Sequence, residues 1–264
     1  MPQGWEWDET LYGGSAKYYE RGRLPYPAEL ADRLASALAL DGSGRAIDVG
    51  CGPGIIALRV AHLFDEMVGI DADRHMLEQA ARRAVERGIT NTRWVEMRAE
   101  NLPGDLGRFR VATFAQSFHW MDQPLVADRV RGMLAGGGTW VHVGATTHRG
   151  APTDEPMPHP QPPWDAIDDL VTAYLGPERR GSRSGEEDVM RAAGYRGPTR
   201  LIVGGGVVER TADEIVSAVF SLSNSTPHLL GDRAPAFERD LRAILGRGPF
   251  SERTREVELV IWKP

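Results

Sequence analysis

The chain of 264 residues is 41% hydrophobic and 26% charged, enough apolar material for one large domain and an ordinary charge content for a globular protein. A formal net charge of −6 argues against a dominant nucleic-acid-binding surface. No apolar run is long enough to span a bilayer, and the first residues lack the basic and apolar regions of a signal peptide. The single Cys51 cannot form an intrachain disulfide, so a reducing, cytoplasmic setting is expected.

In chain order, Trp5 and Trp7 precede Tyr18-Tyr19-Glu20-Arg21-Gly22-Arg23-Leu24-Pro25-Tyr26-Pro27, read as a helix end followed by a proline-stiffened link. From Arg45 to about Val143, strand-like and helix-like segments alternate as in a parallel α/β sheet, with strands expected near 45–49, 66–70, 92–97, 110–115 and 138–143. The first strand carries Asp48 and runs into Gly50-Cys51-Gly52-Pro53-Gly54 and a helix-like run from Ile55 to Phe64. Glycines at alternate positions let a ligand approach the backbone closely. A phosphate loop would need Lys and Ser/Thr after the last glycine, and a dinucleotide loop would need glycine where Ile55 stands.

Asp71 ends the second strand at a spacing from Gly54 that fits one helix, and its carboxylate can accept both hydroxyls of a ribose. A helix from about Asp73 to Arg87 follows, with Asp73 as N-cap and Gly88 as stop. Met76 on its apolar face serves either the core or a ligand. The third strand leads into Met97-Arg98-Ala99-Glu100-Asn101-Leu102-Pro103. The fourth leads into a polar, aromatic stretch, Gln116-Ser117-Phe118-His119-Trp120-Met121-Asp122. A helix over Asp122–Leu134 is expected to stop at Ala135-Gly136-Gly137-Gly138, and the proline-rich 150–163 segment reads as an exposed or lid-like loop.

Helices are then expected near Trp164–Leu175, Gly185–Ala193, Ala212–Leu222 and Arg233–Leu245, with a sixth strand around Thr199–Val208 and a seventh over Arg255–Trp262. Gly204-Gly205-Gly206 marks a bulge or a close backbone approach. Ser221, Ser223, Asn224, Ser225 and His228 form a polar cluster where a cap could line a substrate pocket. His62, His75, His142, His148, His159 and His228 share no ligand spacing, so no metal is expected. A nucleophile elbow is also lacking.

Asp48, Gly50, Gly52 and Gly54 fill every defined position of (D/E)-x-G-x-G-x-G, and in this the chain resembles the class I S-adenosylmethionine (SAM)-dependent methyltransferases. Ala99-Glu100-Asn101-Leu102-Pro103, the Phe118-His119-Trp120 loop and the Tyr18–Pro27 segment are similar to the methyltransferase type 11 group, which includes relatives of trans-aconitate methyltransferases. The resemblance implies a Rossmann-like α/β fold: a seven-stranded, mostly parallel sheet with helices on both faces and inserted helices capping the active site. It implies one domain over 1–264, with a flap at 1–40, a cofactor core at 41–145 and a C-terminal part at 146–264 bearing the cap helices.

The implied cofactor is SAM. Asp48, directly or through water, and the three glycines would meet its amino-acid end, Asp71 with Ala72 the ribose, and the adenine would meet Met76, where that residue is not core, and either the Glu100 side chain or only the backbone near Ala99. Arg98 occupies the family's aspartate slot and cannot accept from the adenine amino group. Gln116 and Ser117 would lie near the transferable methyl, and Tyr18, Tyr19 and Arg23 are candidates for closing the site around SAM or substrate. His119 is the candidate general base, since imidazole titrates near neutral pH, or else it walls the cofactor pocket with Trp120. The expected reaction is methyl transfer to a small-molecule acceptor, O-methylation first, by a monomer or homodimer that engages neither nucleic acid nor membrane. The alternative is a SAM-binding protein of this fold that transfers no methyl.

Overall fold

The computed structural model describes residues 14–177 and 185–264; Trp5 and Trp7 lie outside the described residues. Seven strands form the main sheet: β1 (Arg45–Val49), β2 (Glu66–Asp71), β3 (Thr92–Glu96), β4 (Phe109–Ala115), β5 (Leu134–Gly144), β6 (Arg196–Val203) and β9 (Val257–Lys263). A smaller sheet pairs β7 (Val207–Arg210) with β8 (Phe250–Arg253). The main order is β3-β2-β1-β4-β5-β9-β6, with β9 antiparallel to both neighbours and the rest running one way. The order reverses between β1 and β4. Open α/β sheets bind ligands beyond the carboxyl ends of the strands at such a reversal.

Strand alternation divides the core. On one face, α5 (Gln123–Met133) and α7 (Glu186–Ala192) cover Ile47, Val49, Val68, Ile70, Phe114 and Trp140. On the other, α2 (Leu30–Leu38) and α3 (Ile55–Val60) cover Ala46, Met67, Val111 and Val141. Strand β9 shows the period in one line: Val257, Leu259 and Ile261 enter the second cluster, while Val260 and Trp262 enter the first. Helix α4 (Arg74–Glu86) starts where its sequence demands, with Asp73 accepting from the amides of His75 and Met76. Gly88 turns the chain out of it at φ +65°.

A third cluster forms the cap. Helices α6 (Trp164–Leu175), α8 (Ala212–Phe220), α9 (Pro227–Leu230) and α10 (Ala234–Leu245) enclose Ile167, Val216, Phe220 and Phe237. The N-terminal α1 (Ala16–Gly22) docks on this cap: Tyr18 stacks on Phe220 at 5.0 Å, and a Cβ on Gly22 would collide with the backbone of Ser217. Residues 16–22 of the expected flap are therefore a helix docked on the cap.

One buried ion pair ties these parts together. Arg210 Nη1 donates to Glu252 Oε2 at 2.7 Å, with side chains 4% and 2% exposed. Arg210 Nη2 also reaches the carbonyls of Gly22 (2.7 Å) and Glu214 (2.8 Å). Glu252 Oε1 accepts from the Gly150 amide (2.7 Å) and Trp164 Nε1 (2.9 Å). Both charges are thus met by partners, as their burial requires.

Three expectations need correction. The sixth strand does not continue to Val208: at Gly204–Gly206 the chain leaves the sheet, because Gly205 passes against the Thr254 backbone where no Cβ fits, and β7 then pairs with the unforeseen β8. The helix α5 ends before Ala135–Gly138 as expected, but the fifth strand starts earlier than 138: β5 begins at Leu134, and its pairing with β4 skips from Leu134 to Thr139. The proline-rich segment is no free lid. It lies along β8, with the Ala151 amide donating to Arg253 O (2.8 Å), the Ser251 amide to Pro160 O (3.1 Å) and the His159 amide to Ser251 Oγ (3.1 Å).

Candidate functional site

A cavity opens beyond the carboxyl ends of β1, β2 and β4, as the strand order requires. Its walls include Gly50, Gly52, Asp71, Ala72, Met76, Ala99, Glu100, Gln116 and Ser117, with Tyr19, Asp73, Met97, Arg98, Trp120 and Met121. Most of the residues singled out from the sequence for the cofactor therefore converge on one space.

The glycine turn shapes its floor. Gly50, Gly52 and Gly54 all have positive φ (+67°, +52° and +73°), which glycine adopts without strain. A Cβ on Gly50 would lie 2.6 Å from Ser117 Cβ, so that glycine lets the β4 loop close over the turn. At Gly52 no atom lies within 4 Å of such a Cβ; the space it would take belongs to the cavity. Gly54 serves the packing instead, starting α3 against Trp94 and Ala80, away from the cavity wall.

The turn's amides are already spent. Gly50 and Cys51 both donate to Ile70 O (2.9 and 3.0 Å), Gly52 donates to Asp71 Oδ2 (2.8 Å), Gly54 donates to Cys51 O (3.0 Å), and Pro53 has no N–H. A pyrophosphate cradle needs such donors free. This turn instead offers close approach without an anion nest, a fit for an adenosyl ligand that has no phosphate.

Asp71 holds two positions at once. Its Oδ2 fixes Gly52 and its Oδ1 accepts from the Asp73 amide at 2.9 Å, leaving further lone pairs toward the cavity it lines. Burial raises its pKa to about 6, against the pull of the Asp73 and Gly52 amides. Asp48 sits one layer deeper, 1% exposed, and does not line the cavity. Its Oδ1 accepts from Thr113 Oγ1 at 2.7 Å, and Oδ2 has no hydrogen-bond partner. Burial pushes its pKa up to about 7; the Thr113 bond opposes this first, and the nearby Ala57 amide eases ionisation without completing a bond. Of the two routes expected for Asp48, direct contact or contact through water, this position one layer behind the cavity favours the second. Burial, ahead of the charges of Asp71 and Asp48, also pushes the Cys51 thiol up, leaving it a protonated filler.

At the far end, Glu100 Oε1 accepts from the Asp122 amide (2.9 Å) and Oε2 from Arg98 Nε (3.4 Å). Arg98 thus occupies the wall paired with Glu100. Gln116, at φ +56°, and Ser117, whose Oγ donates to Val49 O at 2.6 Å, also face a second cavity. His119 lines that second space, with His142 and Glu186, and does not line the first. Gln116 and Ser117 are the partition between the two. His142 is buried, which lowers its pKa to about 4.

Of the three N-terminal candidates, Tyr19 lines the cavity. Tyr18 packs into the cap on Phe220. Arg23 lies behind that wall, stacked on the Tyr19 ring at 4.4 Å from its centroid. Of the polar cluster, Ser223, Asn224 and Ser225 line a third cavity of about 960 Å³ within the cap, with His148, Arg149, Asp168 and an apolar floor of Ile167, Val171 and Val219. Thr113 carried no sequence signal as a site residue; only strand pairing with β1 reveals it as the partner of Asp48. Among the described residues no group of three potential metal ligands converges, and no helix is long and apolar enough to cross a membrane.

The family described as "Methyltransferase domain" matches residues 46–138, which hold the glycine turn and the walls beyond β2 to β4. The methyltransferase YcgJ of Bacillus subtilis, itself uncharacterized, is 28% identical over 42% of this chain and 44% of its own length. Its crystal structure superposes with a TM-score of 0.51 at 18% identity, covering 88% of this chain and 96% of that one. The 27-O-demethylrifamycin SV methyltransferase of Amycolatopsis mediterranei is 32% identical over 44% of this chain and 43% of its length. The ubiquinone biosynthesis O-methyltransferase of Leptothrix cholodnii is 31% identical over 39% and 43%. The alignments thus span less than half of each of these curated relatives.

Proposed function

We propose that this chain, whose residues 46–138 match a methyltransferase domain, is a class I methyltransferase that transfers a methyl group from SAM to an oxygen of a small-molecule acceptor. One observation carries the cofactor half: the cavity floor is a glycine turn with every amide spent, open above Gly52 and flanked by Asp71. That floor suits a cationic adenosyl group, and the turn itself offers a dinucleotide no phosphate donor. Asp71 would take the ribose hydroxyls. Ala72, Met76 and Ala99 would sandwich the base, with Glu100 at its edge. Gln116 and Ser117 would border the sulfonium end.

When bound, SAM supplies an activated methyl and its own leaving group, so the chain needs no covalent nucleophile. What the chain must do is hold an acceptor in line and exclude water, which can provide on the order of 7–11 kcal/mol. The second cavity shares Gln116 and Ser117 with the first, so an acceptor there would lie next to the sulfonium end. His119 on its wall is the group we assign to take the proton of an attacking hydroxyl. One relative is named for a demethylated rifamycin and another as an O-methyltransferase of ubiquinone biosynthesis, which supports a hydroxylated small molecule as acceptor.

Calorimetric titration with S-adenosylhomocysteine (SAH) and NAD tests the cofactor, and mass spectrometry of a panel of phenols and alcohols incubated with SAM tests transfer. Binding of SAH but not NAD, with a methyl gained by an oxygen acceptor, is expected. Preference for NAD would overturn the cofactor reading. SAH binding with methylation only of amines would overturn the oxygen assignment.

A further inference from the structure

His142 and Glu186 face each other across a gap in the second cavity, which both residues line. His142 Nδ1 and Glu186 Oε2 are 3.9 Å apart, beyond hydrogen-bond distance. Glu186 is held from behind, where its Oε1 accepts from Nε2 of the buried Gln123 at 3.4 Å. The other charges on this wall satisfy one another: Arg200 Nη1 donates to Glu258 Oε1 at 2.6 Å, and its Nη2 pairs with Glu187. Among the described residues no arginine or lysine pairs with Glu186.

The surroundings of the pair fix where its protons sit. His142 is set among Trp140, Phe118 and Phe114, at ring-centroid distances of 5.2, 5.3 and 6.1 Å. Its Nε2 is buried with no hydrogen-bond partner. An N–H rests against aromatic faces more readily than a lone pair does, so the neutral ring keeps its hydrogen on Nε2 and its lone pair on Nδ1. Burial holds that ring neutral, lowering its pKa to about 4, and raises the pKa of Glu186. Since no hydrogen bond joins them, Nδ1 and Oε2 meet lone pair to lone pair. A donor seated about 2.8 Å from each would satisfy both.

The depth of the pair decides which part of a ligand it can reach. His142 stands opposite Phe114 in the β4–β5 ladder, two residues before Gln116 at the partition with the cofactor cavity. At about 3.3 Å per residue that is roughly 7 Å, the reach of a substituted aromatic ring. The space holds about 560 Å³, and its walls include the apolar Phe114, Phe118, Val260 and Trp262. We propose that His142 and Glu186 together bind a hydrogen-bond donor, a hydroxyl or an amino group, carried by an aromatic acceptor on the far side of its ring from the hydroxyl that is methylated. This rests on the methyl-transfer reading above and adds a substrate class to it.

The probes are 2,6-dihydroxynaphthalene, with a donor at each end, and 2,6-dimethoxynaphthalene, with the same ring and no donor. Calorimetry with SAH comes first; no SAH binding is the failure of the methyl-transfer reading. Each naphthalene is then titrated by fluorescence into SAH-saturated protein. The wild type is expected to bind the diol about ten-fold or more tighter than the diether. That ratio should fall about five-fold or more in His142→Phe, which suits the aromatic surroundings, and in Glu186→Gln, whose amide would itself donate to Nδ1 and fill the gap. SAH affinity should stay within about two-fold in both variants; a parallel loss of SAH binding would make the pair structural and overturn the proposal. With 6-amino-2-naphthol as a third probe, tighter binding than the diol assigns an amino group and weaker binding a hydroxyl. No preference for the diol in the wild type, or an unchanged ratio in either variant, would show the proposal to be wrong.

Discussion

Asp48→Asn isolates a buried charge whose effect on stability can be worked out. In the folded chain burial raises Asp48 to about 7, against an ordinary aspartate value of 3.8. The folded state therefore holds an extra proton between about pH 4 and 7, and stability falls as pH rises through that window. A shift of about three units at 1.36 kcal/mol per unit is a loss on the order of 4 kcal/mol, complete above about pH 7. Asparagine keeps an oxygen for Thr113 Oγ1 and has no charge to desolvate. The difference in unfolding free energy between variant and wild type should grow from near zero at about pH 4.5 to a few kcal/mol in the variant's favour at about pH 8. His142 and His148, both lowered to about 4 by burial, tilt the curve oppositely, gaining stability as pH rises between about 4 and 6.5. They are present in both proteins and cancel in the difference. Urea unfolding of the ligand-free proteins across that pH range measures it. Parallel curves would show that Asp48 is ionised without cost, and the buried-charge account would be wrong.

Asp71→Asn should reduce SAH affinity about ten-fold or more by removing charge-assisted bonds to the ribose; unchanged calorimetric affinity would refute that role. In the wild type, SAH affinity should fall as pH drops below about 6, where Asp71 takes up a proton in the free protein; a flat profile across that value would contradict it. Arg210→Met leaves Glu252 buried without its cation and should cost about 3–5 kcal/mol in urea unfolding, and a loss below about 1 kcal/mol would mean the cap is not held by this pair. Gly50→Ala forces a Cβ to 2.6 Å from Ser117 Cβ at φ +67° and should abolish SAH binding. Gly88→Ala, at φ +65° with nothing nearby, should cost only about 1–2 kcal/mol of stability and leave binding intact. Equal behaviour of the two glycine variants would refute the steric argument.

Much of the sheet could be read from local pattern because each strand is short, apolar and bounded by its own signal. Asp73 capping α4 is one such signal, and the period-two pattern of β9 is another. The misses came where distant segments decide. Val207 and Val208 look like a continuation of β6, and only the Thr254 backbone pressing on Gly205 diverts them toward β8. The proline-rich segment reads as a free loop because its sequence has no period, yet Ser251 and Arg253, far along the chain, hold it.

The site divides along the same line, between what spacing determines and what packing determines. Glycines at 50 and 52 and the acid at 71 are set by the turn itself, since the turn cannot form with a side chain at the first and is pinned by the last. Which of two adjacent tyrosines faces the cavity depends instead on how α1 seats on α8, and there Gly22 fixes the rotation that sends Tyr18 to Phe220 and Tyr19 to the wall. Asp48 shows what the motif alone leaves open. Its position in the sequence pattern suggests a hand on the ligand, directly or through water, and its burial one layer behind the cavity favours the second. A carboxylate held near neutrality there can gain charge when a cation arrives above it, so SAH binding near neutral pH should release protons while methylthioadenosine, lacking the ammonium, should release fewer. Calorimetry in buffers of different ionisation enthalpy reads that difference, and equal proton release by the two ligands would leave Asp48 a structural residue only.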